Sequence, residues 1–129
     1  MAELKRGQKE IRDSKLTVVD NQYPDRDYQV DVTLPEFTCL CPITGYPDFA
    51  VIRLTYVPDT YIIELKSLKL YINKFRNESM FHEAAVNLIL DDLAGIAKPR
   101  YMKVTGDFNP RGNVKTVVTA EYHGEKNSD

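Results

Sequence analysis

The sequence has no long apolar run, few cysteines and no excess of basic residues, and each of these absences excludes a class of protein. Because no stretch could span a bilayer and the N-terminus lacks a signal-peptide core, the chain is predicted to be cytoplasmic and to have no membrane partner. A formal net charge of −2 argues against a nucleic-acid partner, which would require a basic face. The length of 129 residues predicts a single domain.

The two cysteines, Cys39 and Cys41, lie two positions apart on one extended segment. Their separation along a strand, about 7 Å, is too long for an ordinary disulfide, so both are predicted to be free thiols. Only His82 and His123 could join them as metal ligands, and there is no second cysteine pair. No metal is therefore predicted.

The pattern of apolar and turn-forming residues predicts the order strand, strand, helix, helix, strand, strand. This is an α+β pattern, in which an antiparallel sheet carries helices on one face. Because a four-stranded sheet of this size has exposed edges, we expect it to join other subunits in an oligomer. The four core strands of this order are residues 37–41, 49–57, 100–107 and 113–122, and shorter extended segments are predicted at residues 29–34 and 61–65. The predicted helices are residues 66–75 and 80–96.

The helix at 80–96 has the clearest periodicity, and Gly95 and Pro99 predict its end. A turn is predicted at residues 109–112 between the last two strands. Residues 1–26 are interpreted as a polar N-terminal arm, 27–123 as the folded domain and 124–129 as a polar tail. The apolar face of the helix is predicted to contain Phe81, Ala85, Leu88, Ile89, Leu93 and Ile96.

The turn between the first two core strands carries candidate chemistry. Gly45 and Pro47 favour a chain reversal, which sets Asp48 across the hairpin mouth from Cys41. Cysteine is a strong nucleophile, and a neighbouring group must then handle protons, for which Asp48 is the nearest candidate. The structural alternative is a cysteine that fills a core gap and an aspartate that caps a turn.

Polar residues near the predicted helix starts have two readings each. The Glu64 carboxylate can line a pocket or reach solvent. Lys66 and Lys69 share a helix face beside free N–H groups, which suits a phosphate or an ordinary solvated surface. His82 can move a proton, and Glu83 can accept N–H bonds from a guanine-like edge or serve only the helix electrostatics.

Arg111 and Gly112 lie in the predicted turn before the last strand. Arg111 offers a planar cationic fork, and Gly112 lets the backbone approach a ligand. As a lone hairpin turn, this segment has little specificity.

Four separated segments, taken together, are far more specific than any one of them. They are residues 37–42 (Phe-Thr-Cys-Leu-Cys-Pro) with 44–49 (Thr-Gly-Tyr-Pro-Asp-Phe), residues 64–71 (Glu-Leu-Lys-Ser-Leu-Lys-Leu-Tyr), residues 81–83 (Phe-His-Glu) and residues 111–112 (Arg-Gly). In this order they resemble the NADPH-dependent 7-cyano-7-deazaguanine reductases of queuosine biosynthesis. The resemblance covers most of residues 35–123, and segment 64–71 separates this reductase from related pterin and GTP-processing enzymes.

The resemblance implies a tunnelling fold (T-fold) of ββααββ order in a ring-forming homo-oligomer. It implies a decamer of two pentamers with active sites between subunits, and the chain length fits the single-module form. An interfacial site is physically reasonable, because so small a domain can hardly enclose a purine-like base and a dinucleotide alone.

The resemblance also implies the reaction. Cys41 attacks the nitrile carbon to form a covalent thioimide, Asp48 donates and accepts protons, and two NADPH reduce the carbon to the aminomethyl group. Substrate contacts are expected at Ile63, Glu64, Leu65, His82 and Glu83, and NADPH contacts at Leu65, Lys66, Lys69, Arg111 and Gly112.

The sequence departs from the common family pattern at two positions. Cys39 and Leu65 each stand where many members have serine. The cysteine at position 39 adds a second thiol near the proposed nucleophile, Cys41. The alternatives are another T-fold enzyme, such as an amidinotransferase or a cyclohydrolase, or a non-catalytic purine-binding module. A cyclohydrolase needs zinc ligands that are missing here, and the amidinotransferase branch lacks the NADPH motif.

Overall fold

The computed structural model describes residues 3–124 and contains a four-stranded and a two-stranded antiparallel sheet. The larger sheet consists of two long hairpins that lie side by side. In chain order the elements are α1 (Arg6–Asp13), β1 (Val18–Asp20), β2 (Val30–Leu40), β3 (Pro47–Val57), β4 (Tyr61–Ile63), α2 (Leu65–Asn73), a 3₁₀ turn (Lys74–Asn77), α3 (His82–Ala97), β5 (Tyr101–Arg111) and β6 (Val114–His123).

The larger sheet has the order β2-β3-β5-β6, and alternate residues of its central strands face the helices. These inward residues are apolar and buried, whereas the opposite face carries both polar and apolar side chains and is partly exposed, as expected for a sheet covered by helices on one side. Helix α3 packs across β5 and β6. The buried inward residues of β3 and β5 are Ala50, Ile52, Leu54, Tyr56, Met102, Val104 and Phe108.

The two strands predicted at 29–34 and 37–41 form one strand, β2, with a bulge between Leu34 and Phe37. Pro35 lies in this bulge. Because proline has no N–H to donate, it is tolerated here at the outer edge of the sheet. The bulge lets β2 keep pairing with β3 as far as Cys39 and Leu40, which brings the strand end to the predicted hairpin.

The predicted bounds of the long helix, residues 80–96, begin two residues too early and end one residue too soon. Helix α3 continues through Gly95 to Ala97, and Lys98 stops it in the left-handed conformation, with φ 48°. The predicted buried face was also partly wrong, because Phe81 precedes the helix and Leu88 lies on its flank, and both are exposed. The buried residues of α3 are Ala85, Val86, Ile89, Leu90, Leu93, Ala94 and Ala97.

The turn before the last strand also lies later than predicted. Arg111 is the last residue of β5, and the reversal occurs at Gly112 and Asn113, which both have positive φ, 58° and 69°. Two successive left-handed residues match the right-handed twist of a hairpin. The strand shift between Phe108 and Arg111 marks a second bulge, which alters the direction of the side chains beyond it.

The N-terminal segment contains a helix and a strand that the sequence analysis did not predict. Strand β1 pairs with β4, so its apolar residues gain a partner far along the chain. The polar segment 21–28 is held by Arg100, which donates to the backbone carbonyls of Pro24 and Arg26 and forms ion pairs with Asp27 and Asp59. The arm therefore lies against the domain.

The boundaries at residues 26 and 123 stay predictions, and the predicted tail lies outside the described residues apart from Gly124. None of the helices formed by residues 3–124 combines the length and the apolarity needed to cross a bilayer. The predicted ring-forming oligomer also stays a prediction.

Gly106 in β5 tests how tightly α3 packs on the sheet. A Cβ atom there would lie 2.6 Å from Cγ2 of Val86 and 2.8 Å from Cε2 of Phe108, and both of these side chains are fully buried. We therefore expect Gly106→Ala to lower the free energy of unfolding by about 1–3 kcal/mol, measured by urea denaturation.

Gly95→Ala is the matched control, because no atom lies within 4 Å of a Cβ added at this helical position. Its expected effect is a gain of up to about 1 kcal/mol, from the better helix propensity of alanine. Equal stability of Gly106→Ala and the parent protein would show that the interface between α3 and β5 has room to relax.

Candidate functional site

Cys41 lies directly after β2, at the start of the turn that leads into β3. Its N–H donates to the carbonyl of Tyr46 and its carbonyl accepts from the N–H of Gly45, both at 2.8 Å. Gly45 has φ 76°, a conformation that suits glycine. The turn is thus closed by backbone bonds on both sides of Cys41, and the half-buried thiol is held at its mouth.

The two thiols differ in their readiness to ionise. The pKa of Cys41 is lowered from its ordinary value, because the Thr44 hydroxyl and then the backbone N–H groups of Thr44 and Ile43 stabilise the thiolate. Burial, together with the charge of Asp48, raises the pKa of Cys39 to about 11. Cys39 is a core residue with no exposed surface. The more reactive sulfur is therefore Cys41.

Asp48, near the start of β3, is a nearly buried carboxylate with a cation or an imidazole on each oxygen. Its side chain is 11% exposed. Nη1 of Arg111 lies 2.8 Å from Oδ1, and Nε2 of His82 lies 3.2 Å from Oδ2. Because β3 pairs Asp48 with Cys39, the carboxylate projects on the face of the hairpin that also carries Cys41.

His82 is fixed at the first residue of α3 by an aromatic stack. Its ring lies parallel to that of Phe108, with ring centroids 3.8 Å apart and an angle of 4° between the planes. This stack leaves Nε2 directed at Asp48. Glu83 follows in the first turn of the helix and is exposed, so its carboxylate is available to a ligand.

These side chains surround one open cleft of about 230 Å³. The hairpin, the start of α3 and the strand pair β5-β6 each form one of its walls. The structure therefore brings together five of the residues predicted for the site, namely Cys41, Asp48, His82, Glu83 and Arg111. The proposed reaction requires these residues to lie close to each other. The cleft is lined by Cys41, Pro42, Asp48, Phe81, His82, Glu83, Asn109, Arg111, Val114 and Thr116.

The other predicted site residues do not line this cleft. Gly112 lies in the turn between β5 and β6, and the remaining ones lie where β4 meets α2. Ile63 is buried, Leu65 is exposed, and the Glu64 carboxylate caps α2 by accepting from the N–H groups of Lys66 and Ser67. Two of the N–H groups that the sequence analysis offered to a phosphate, those of Lys66 and Ser67, are therefore already bonded.

The fit to a phosphate-bearing dinucleotide rests on the side chains of Lys66 and Lys69. Both lysines are exposed near the start of α2, and within residues 3–124 no carboxylate forms an ion pair with either. Two available ammonium groups fit a phosphate. Over the same part of the chain, no group of three or more His, Cys, Asp or Glu is arranged to hold a metal ion.

Sequence reasoning missed three residues that shape the site. Thr44 stabilises the Cys41 thiolate, Phe108 carries the His82 ring, and the ring of Tyr46 lies 5.3 Å from Cζ of Arg111. Thr44 could have been found from its place in the turn, three residues after the thiol. The other two contacts join distant parts of the chain and leave no local signal.

A four-stranded antiparallel sheet with helices on one face and a cysteine–carboxylate cleft at one end defines a tunnelling-fold protein with a candidate catalytic site. The profile of the QueF-like protein family matches residues 47–127. The chain belongs to this family, and the resemblance derived from the four segments is confirmed.

Curated relatives match nearly the whole chain. A protein of Synechocystis sp. is 55% identical over 124 residues, which cover 96% of this chain and 90% of the relative. One of Aquifex aeolicus is 57% identical over 116 residues, 90% of each protein. Both are named NADPH-dependent 7-cyano-7-deazaguanine reductase.

A solved structure shares the fold. The crystal structure of the archaeosine synthase QueF-Like in the apo form superposes with a TM-score of 0.70 at 22% identity, covering 76% of this chain and 96% of that one. This likeness confirms the predicted α+β class and tunnelling fold.

The difference between the two thiols predicts selective alkylation. Iodoacetamide reacts with the thiolate, so in the folded protein we expect Cys41 to be modified faster than Cys39 by roughly tenfold or more. Because the pKa of Cys41 is lowered, its rate should rise with pH and reach half of its maximum below pH 9.0, the ordinary value. Timed alkylation with peptide mass mapping measures both rates.

Thr44→Val is the matched variant, since it removes the hydroxyl and keeps the branched shape. The half-maximum of Cys41 alkylation should then move to higher pH. Alkylation of Cys39 at a similar rate, or a midpoint that Thr44→Val leaves in place, would contradict this account of the site.

Proposed function

We propose that this protein is an NADPH-dependent nitrile reductase that converts 7-cyano-7-deazaguanine to 7-aminomethyl-7-deazaguanine in queuosine biosynthesis. The single observation that carries the proposal is the cleft in which the ionisable Cys41 and the nearly buried Asp48 meet. The names of the relatives support the substrate and the cofactor. The expected cytoplasmic location stays a prediction.

The first step joins the sulfur to the substrate. A bond forms between Sγ of Cys41 and the nitrile carbon, one π bond of the C≡N group breaks, and its electron pair remains on nitrogen. Asp48 relays to that nitrogen the proton that the thiol gives up, so charge and protons balance. The product is a thioimide bound to Cys41, whose C=N bond is more readily reduced than the triple bond.

Bound NADPH supplies hydride, and two equivalents are needed to convert the nitrile to a primary amine. After the first reduction, the tetrahedral carbon carries both sulfur and nitrogen, and the C–S bond breaks to release Cys41 as a thiolate. Nitrogen takes up a further proton as the imine is reduced to the amine. His82 lies 3.2 Å from Asp48 and can return protons to it between these events.

Substrate recognition involves the two residues that begin α3. The exposed Glu83 carboxylate accepts hydrogen bonds from the N–H edge of the guanine-like ring, and His82 contacts the ring from the neighbouring position. Both lie in the same cleft as Cys41, so the base can be held while its nitrile reaches the sulfur.

Segment 63–69 completes the site from another subunit in this proposal. Ile63, Glu64 and Leu65 contact the substrate, while Leu65, Lys66 and Lys69 contact NADPH together with Arg111 and Gly112. Exposed apolar side chains around the hairpin and cleft favour a covering partner of this kind, because water-exposed clusters commonly mark interfaces. They are Ile43, Tyr46, Phe49, Phe81 and Val114.

The covalent step is tested by replacing the sulfur. Cys41→Ala should abolish both the loss of NADPH absorbance on adding the nitrile and the adduct seen by intact mass, because it removes the nucleophile. The parent protein should consume two NADPH per nitrile. An amidinotransferase or a pure binding protein would leave NADPH unchanged.

Cys39→Ser is the matched control, since it removes the neighbouring thiol and keeps a side chain of similar size. It should retain the adduct. An adduct that persists in Cys41→Ala and disappears in Cys39→Ser would transfer the role to Cys39.

The recognition role is tested at Glu83. In a Cys41→Ala background, which prevents turnover, Glu83→Ala should weaken nitrile binding by roughly tenfold or more, since one charge-assisted bidentate contact is lost. Isothermal titration calorimetry measures the affinity. The fold should persist, because a carboxylate in the first turn contributes only about 0.3–1 kcal/mol to its helix. Unaltered affinity would show that Glu83 serves the helix alone.

A further inference from the structure

The Arg111 side chain contacts the hairpin that carries Cys41. Nη1 lies 2.8 Å from Oδ1 of Asp48, and Nη2 donates to the carbonyl of Pro47 at 3.3 Å. The guanidinium also lies over the ring of Tyr46, with Cζ 5.3 Å from the ring centroid. Three consecutive residues of the hairpin, Tyr46, Pro47 and Asp48, therefore contact one side chain.

This arrangement restricts the Asp48 carboxylate more than a single ion pair would. The guanidinium is planar, so an ion pair at one nitrogen and a hydrogen bond at another fix its orientation, and the aromatic face beneath it adds a cation–π contact. The bulge between Phe108 and Arg111 allows the end of β5 to direct this side chain at the hairpin. An exposed solvated arginine would have none of these restraints.

We propose that Arg111 is a positioning residue, which holds the Asp48 carboxylate in place for proton transfer to the nitrile during thioimide formation. The inference rests on the proposed function and deepens it. It differs from a role of Arg111 in NADPH contact alone, because it assigns Arg111 an effect on a step that precedes any hydride transfer.

Several titratable and charged groups face Asp48, and Arg111 is the only one of them in residues 3–124 that is a permanent cation. His82 approaches from α3, Arg111 from β5, and the two thiols from the end of β2 and the turn. The charge of Asp48 opposes ionisation of Cys41. Because Arg111 forms an ion pair with Asp48, we expect its removal to leave the charge of Asp48 less compensated and to be detectable at the sulfur without any substrate.

Arg111→Gln tests the proposal with two readouts that need no NADPH. In the first, the protein is mixed with 7-cyano-7-deazaguanine alone and the adduct is followed by intact mass; its rate of formation should fall by roughly tenfold or more. In the second, the pH midpoint of Cys41 alkylation by iodoacetamide should rise by roughly half a unit or more.

Two further variants show that Arg111 acts through Asp48. Arg111→Lys keeps the charge and loses the fork, so it should restore most of the alkylation midpoint and leave adduct formation slow. In an Asp48→Asn background, Arg111→Gln should cause no further loss in adduct rate, because residues that act as a unit are not additive.

Arg53→Gln is the matched control, since Arg53 and Asp107 form an arginine–aspartate pair between the same two strands, at 3.4 Å and away from the cleft. It should leave both readouts unchanged. An adduct rate for Arg111→Gln within about twofold of the parent would overturn the inference and leave only a cofactor contact. If the parent protein forms no adduct with the nitrile, the proposed function fails. An unchanged pH midpoint of Cys41 alkylation in Arg111→Gln would in that case overturn the positioning role of Arg111 as well.

Discussion

The contacts of the Asp48 carboxylate with Arg111 and His82 join three elements that are far apart along the chain. The carboxylate comes from β3, the guanidinium from the end of β5 and the imidazole from the start of α3. A nearly buried carboxylate is costly unless its oxygens have partners, so these contacts are required wherever Asp48 is kept in that position. The cleft exists because sheet pairing and the packing of α3 bring the three groups to one point.

The two cysteines show how strongly position changes the chemistry of one side chain. They are two residues apart and point to the same side of the hairpin, yet Cys39 belongs to the apolar core and Cys41 lies at the mouth of a turn. Burial disfavours the thiolate of the first, whereas hydroxyl and backbone N–H groups favour that of the second. Strand periodicity could not separate them, since a period of two places both on one face, and the choice of Cys41 came from the family resemblance.

Much of the fold followed from local patterns, and the errors arose where distant contacts decide. Alternating strands, the long helix and the hairpin at Gly45 were all recognisable from neighbouring residues. Helix α3 includes Gly95, as the predicted span of residues 80–96 does, because packing outweighs the propensity of one glycine. Strand β1 was not recognised, because its partner β4 lies about forty residues further along the chain.

The candidate site shows the same division. The motif residues of the hairpin and of the start of α3 line one cleft. The pairing of Arg111 with Asp48 was not foreseen, because it spans more than sixty residues. Glu64 was given two readings, a pocket wall or a solvated group, and a third was observed, since its carboxylate caps α2.

Arg100 gives the N-terminal segment a mode of attachment unlike that of the core. Segment 21–28 is held by the Arg100 guanidinium, which forms an ion pair with Asp27 and donates to backbone carbonyls of the segment. This contact lies at the rim of the sheet, where the Asp27 side chain is 76% exposed. Exposed ionic contacts weaken as dissolved salt screens them, whereas apolar burial does not. A rise in ionic strength therefore weakens the attachment of segment 21–28 while the sheet and α3 stay packed. The salt concentration thus sets how firmly the N-terminal segment is held, independently of the stability of the core.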